Sequence, residues 1–140
     1  MKLTRLKLAL LLPGVLALSA CAVFAATAAQ LTLHQQDSGH QYTVHVGDTV
    51  TVDLVDTFPV PGSSTAWSAD TSNASVLSRI STTRQTPPSI MGSQGHYVAT
   101  FKAQRAGEAS INMVGTARCE AMNPGFCPQP HGAIAITVKY

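Results

Sequence analysis

Strict alternation of apolar and polar side chains constrains this chain more than any other feature. Between Thr49 and Val55, residues Val50, Val52 and Leu54 fall on one side and Thr49, Thr51 and Asp53 on the other. A two-residue period places one face inward only in an extended strand. The same period returns at Gln30–His34 and Tyr42–Val46, and at His96–Ala103 with Tyr97, Ala99 and Phe101 on one face. It returns again at Glu108–Val114, with Ala109, Ile111 and Met113 inward, and at Ala133–Lys139, with Ile134, Ile136 and Val138 inward. Thr65–Ala69 surrounds the single tryptophan, Trp67, which is expected to anchor the core from a central strand. Val76–Ser81 is ambiguous, because Val76, Leu77 and Ile80 would also suit one face of a helical turn. Gly47-Asp48 and Arg105-Ala106-Gly107 read as turns, and Asp56–Ser64, Thr86–Gly95 and Thr116–His131 read as loops. Seven or eight short strands with regular turn signals give an all-β fold, an Ig-like antiparallel β-sandwich over residues 31–140. A body rich in Thr, Val, Ser and Gly and poor in Leu, Glu and Lys excludes an all-helical domain.

The N-terminal stretch stands apart. Lys2, Arg5 and Lys7 precede an uncharged run from Leu8 to Ala29, the pattern of a secretory signal over residues 1–20. Leu18-Ser19-Ala20-Cys21 matches the bacterial lipobox, which makes Cys21 the lipid-modified first residue of the mature protein and 21–30 a tether. Two other readings stay open: release at Ala26-Thr27-Ala28, with cleavage after Ala28 or Ala29, and an uncleaved bilayer span. All three place the body outside the cytoplasm, either secreted or periplasmic or held on the cell envelope. The formal charge of +2 is a property of this leader. Beyond Ala20, six basic side chains face seven acidic ones, so no phosphate-binding footprint is present and nucleic acid is excluded as a partner.

In an oxidising compartment, the two remaining cysteines, Cys119 and Cys127, most simply pair as a disulfide that staples the last loop. Two metal thiolates would need closer spacing or more ligands. His34, His40, His45, His96 and His131 lie on different elements, and with Met91, Met113 and Met122 they show no ligand spacing, so no metal site is assigned. There is no Gly-x-Ser-x-Gly elbow and no cysteine nucleophile outside the pair. The chain is therefore read as a non-enzyme with no catalytic residue and no cofactor.

Gly92-Ser93-Gln94-Gly95, the strand running into Phe101-Lys102-Ala103, the Gly107-Glu108 turn and the inward Ile111 together resemble the chagasin family of cysteine-peptidase inhibitors. Val46-Gly47-Asp48 before a Val-rich strand and the loop leading into Ala66-Trp67 fit the same pattern, so the resemblance covers most of Gln41–Tyr140. It implies a monomeric inhibitor whose three loops enter the active-site cleft of a papain-like cysteine peptidase. The corresponding positions are Pro61, Gly62, Ser63 and Ser64 in the first loop and Gly92, Ser93, Gln94 and Gly95 in the second. Arg118 matches the third, with Phe126 as its large apolar contact. After Arg118 the family's Pro-Trp is replaced by Cys119 and an insertion running to Cys127. An envelope Ig-like module that recognises a protein or glycan through the same loops is the alternative.

Overall fold

Val50, Val52 and Leu54 are fully buried, and the strand that carries them organises the fold. The computed structural model describes residues 27–60, 63–85, 88, 90, 92–119 and 129–140. Expectations for the leader 1–20, Cys21, Ala26, Pro61, Gly62, Met91, Met122, Phe126 and Cys127 lie outside the described residues.

Eight strands follow one another: β1 (Gln30–His34), β2 (Gln41–His45), β3 (Thr49–Val60), β4 (Ser63–Thr71), β5 (Leu77–Gln85), β6 (Ser93–Ala103), β7 (Gly107–Cys119) and β8 (His131–Lys139). A single 3-10 turn, Gln35–Asp37, separates β1 from β2. Hydrogen bonding runs β2-β8-β7-β4-β3-β6-β5, with β1 paired to the start of β3 on the edge opposite β6. The path folds into a sandwich: β1, β3, β6 and β5 form one layer, and β4, β7, β8 and β2 the other. The layers meet in one core of Leu33, Val50, Val52, Leu54, Leu77, Ala99 and Phe101 against Trp67, Ala69, Ile111, Met113, Ile134, Ile136 and Val138. Trp67 is 4% exposed, the core anchor expected from its position.

Most pairs are antiparallel, but β1 pairs with β3 and β2 with β8 in parallel. The first strand of the sandwich is thus split between layers by the 3-10 turn. Gln30, expected at the end of the tether, is already the first residue of β1. Just before it, Ala29 donates its N–H to Asp48 Oδ1 at 2.8 Å and accepts from Thr49 N at 2.9 Å.

Three expected boundaries move. Asp56–Ser64 is not one loop: β3 continues to Val60 and β4 begins at Ser63. Thr57 faces Thr65 while Val60 faces Ser63, so β3 carries one extra residue, a bulge that includes Pro59. A bulge tolerates a residue without an N–H, which is why Pro59 does not end the strand. Of Val76–Ser81, Val76 closes a turn and Leu77–Ser81 resolves as strand, with Ile80 inserted in a second bulge between Arg79 and Ser81. Finally, β7 runs past Val114 to Cys119, shortening the expected last loop.

Candidate functional site

The registers bring the strand ends that lead into three connections to one end of the sandwich. Val60 faces Ser63 across the central β3–β4 hairpin. Phe58 of this hairpin faces Ser93, the first residue of β6, so the β5–β6 connection lies to one side. Ser63 faces Cys119 and Ser64 faces Arg118, so the end of β7, which leads into the third connection, lies on the other side. At this end alone β3 pairs with β4, and the two layers join into one ribbon with the hairpin at its middle. The turns at Val46–Asp48, Ser72–Val76 and Gln104–Ala106 lie at the opposite end, as the strand directions require.

Of the sequence-derived positions, Ser63, Ser64 and Arg118 lie at this end on paired strands, and Gly92 and Ser93 at the mouth of the β5–β6 connection. Ser93, Gln94 and Gly95 were expected within a loop but belong to β6. Gln94 faces Thr57 and Gly95 faces Asp56, and Gly95 is buried. The pairing with the extended β3 draws them into the sheet, which leaves Gly92 as the glycine of the turn. Gly92 has φ +80°, a left-handed conformation that a side chain disfavours. Ser93 N–H donates to the Ile90 carbonyl at 3.0 Å, Ile90 N–H to the Pro88 carbonyl at 2.7 Å, and Ser93 Oγ also to the Pro88 carbonyl. These bonds form a tight knuckle whose apolar side chain, Ile90, is 68% exposed. Ile90 was not singled out from the sequence; the signal is an isoleucine among Pro87, Pro88, Ser89 and Gly92, where no strand pairing hides it.

A buried charge sits at the root of the same end. Asp56 is 2% exposed and occupies the inward phase of β3, two residues beyond Leu54. Its Oδ1 accepts the Trp67 N–H at 2.7 Å and its Oδ2 accepts from Arg84 Nη1 at 2.5 Å. Arg84 Nη2 donates to the Trp67 carbonyl, and the guanidinium lies 4.9 Å from the centre of the Tyr97 ring. Lower on the same edge of β4, the Ala69 carbonyl accepts from Arg79 Nη1 at 3.0 Å and from the Tyr97 hydroxyl at 3.5 Å.

Two other carboxylates are held away from this end. Asp48 accepts the N–H groups of His45 and Ala29, both at 2.8 Å, and these bonds hold its pKa below the ordinary value. Asp37 is lowered by the N–H of His34 and then by the Tyr42 hydroxyl, whose own pKa rises as a consequence. Among the described residues, no three His, Cys, Asp or Glu side chains are grouped to hold a metal.

Comparison with known proteins supplies the context for this geometry. Residues 43–125 match the model of the chagasin family peptidase inhibitor I42. No curated protein sequence matches the chain. Among solved structures, the cysteine protease inhibitor EhICP2 from Entamoeba histolytica superposes with a TM-score of 0.60 at 15% identity, covering 81% of this chain and 99% of that one. The solution structure of Amebosin superposes with a TM-score of 0.51 at 20% identity, covering 79% and 98%. At these identities the likeness is one of fold.

Proposed function

Because the chain belongs to the chagasin family of peptidase inhibitors, we propose that it inhibits papain-like cysteine peptidases by inserting one end of its sandwich into the active-site cleft. Family membership already makes it an inhibitor and not an enzyme. The observation that carries the finer reading is the set of registers Val60 to Ser63, Phe58 to Ser93 and Ser63 to Cys119. They bring the strand ends that lead into three connections to one end, which supports a blunt wedge that fills a groove. An inhibitor of this type needs no reacting group of its own. It excludes substrate by occupying the cleft, and its affinity comes from a few well-packed contacts.

Peptidase class and location are part of the same proposal. A cysteine peptidase target is supported by the sequence resemblance and by the likeness to an inhibitor of cysteine proteases. An extracytoplasmic location is supported by the basic start and apolar run, and attachment through a lipid on Cys21 by Leu18-Ser19-Ala20-Cys21. A stapled third loop, Cys119 to Cys127, would enter the cleft with less conformational freedom left to lose. The protein is proposed to act as a monomer, one copy per peptidase.

The test is a titration. Papain activity measured against increasing protein should fall linearly to zero at an equimolar ratio. No loss of activity at micromolar protein, repeated with a cathepsin, removes the inhibitor reading and leaves the envelope-module reading in its place.

A further inference from the structure

The central hairpin straddles both layers, and this creates a problem in the sheet. Above Thr57, β3 pairs with β4; below it, β3 stays with β6 while β4 crosses to the opposite layer with β7. From Ala66 downward one edge of β4 therefore has no strand beside it. Trp67 sits where the two part. Its partner on β7, Gly115, donates its own N–H to the Pro130 carbonyl, so the Trp67 N–H and C=O point toward the vacated edge. Asp56 accepts that N–H and Arg84 donates to that C=O, while the two side chains bond each other. The carboxylate and guanidinium thus reproduce the acceptor and donor of an absent strand residue.

The pair draws on both flanks of the proposed binding end. Asp56 lies one residue before the hairpin's first cross-strand pair, Thr57 to Thr65. Arg84 is the penultimate residue of β5, one residue short of the second connection. Trp67 is two residues beyond Thr65 on the strand that pairs with the root of the third. We infer that Asp56 and Arg84 are positioning residues, which fix the central hairpin against the second connection by standing in for the strand that β4 lacks. The fork shape of the guanidinium is essential, because one group must reach a carboxylate and a carbonyl together. A lysine at 84 keeps the charge and supplies only a point donor.

The consequence for inhibition rests on the proposed function, so the experiment has one arm that does not. Backbone amide exchange is followed by NMR in the wild type, Arg84→Lys and Arg84→Met, with inhibition constants against papain measured on the same samples. The Trp67 and Thr65 amides should exchange about tenfold faster or more in both variants, as expected when a charged hydrogen bond is lost. The Phe101, Ile111 and Ile136 amides should keep their wild-type rates. Inhibition should weaken about tenfold in Arg84→Met and nearly as much in Arg84→Lys. Unchanged exchange at Trp67, or acceleration shared equally with the core amides, overturns the inference; so does full retention of both by Arg84→Lys. Should the wild type fail to inhibit papain, the functional reading falls and the exchange arm alone decides the positioning role. Asp56→Asn, which keeps an acceptor for Trp67 but loses the charge, replaces Arg84→Met if that variant does not fold.

Discussion

Ile90 offers the sharpest quantitative test of the binding end. Its side chain is 68% exposed on the β5–β6 knuckle, held outward by the turn through Gly92. Fully burying an isoleucine is worth ~1.5–3 kcal/mol. The share still in water therefore places about 1–2 kcal/mol at stake if a peptidase cleft covers it. That corresponds to a loss of roughly 5–30-fold in affinity for Ile90→Ala. Stability should change by no more than about 0.5 kcal/mol, since the folded protein already leaves the side chain in solvent. A control of the same chemistry lies on β5, the strand that leads into this connection. Ile80 is 53% exposed in the β5 bulge, but it is nearer the opposite end. Ile80→Ala should leave the inhibition constant at its wild-type value. The assay is the inhibition constant against papain for wild type and both variants, with urea unfolding on the same preparations. Equal affinity for Ile90→Ala and wild type, or equal losses for Ile80→Ala and Ile90→Ala, would refute the assignment of the contact surface.

Trp67→Ala should cost ~3–5 kcal/mol of stability by urea unfolding, because an indole 4% exposed leaves a cavity between the layers. Asp48 is depressed by N–H bonds present only in the folded chain, so it contributes stability above about pH 4 that is lost as the pH falls through its folded pKa. The thermal midpoint of Asp48→Asn should accordingly fall less steeply than wild type over that acid range, and parallel curves would contradict the assignment. Alkylation of the native protein without reductant should add no mass at Cys119 or Cys127 if they are bonded, and two adducts would show free thiols. Cys21→Ser should abolish incorporation of labelled fatty acid; a wild-type N-terminus found near Ala29 with no label would refute the anchor.

The inward faces were legible because period two is a direct projection of the pleat. Val50, Val52, Leu54, Tyr97, Ala99, Phe101, Ile111, Met113, Ile134 and Ile136 are all buried as the alternation requires. The misread segments are those where the period breaks. Ile80 occupies a bulge, so Leu77 and Ile80 mimic helical spacing while Arg79 faces Phe101 in a ladder. Pro59 also lies in a bulge, and its composition imitates a loop. The end of β7 has small and polar residues, Gly115, Thr116 and Ala117, that carry no hydrophobic pattern; it is strand because β4 lies beside it. Its Gly115 is also fitted to the chain, since an added Cβ would lie 2.7 Å from the Pro130 ring. The Asp56–Arg84 pair joins residues 28 apart, and no local rule connects them. One signal was present: Asp56 continues the inward series Val50, Val52, Leu54, and a carboxylate at a core-facing position requires a partner.

Trp67 connects the two levels at which this end is built. Its indole belongs to the core, while its peptide groups belong to the edge that Asp56 and Arg84 complete. The two roles separate by substitution. Trp67→Ala empties the core and leaves the N–H and C=O in place, whereas Arg84→Met leaves the core side chains and removes the partner of the carbonyl. If the frame alone set the binding end, both variants would weaken inhibition only in proportion to lost stability. If the edge pair sets it, Arg84→Met should weaken inhibition well beyond its stability cost, and Trp67→Ala should retain affinity under conditions where it remains folded. Core and loop positions then answer to different constraints. Such a division leaves the third connection free to vary while Ser63 and Ser64 stay paired with Cys119 and Arg118 at its root.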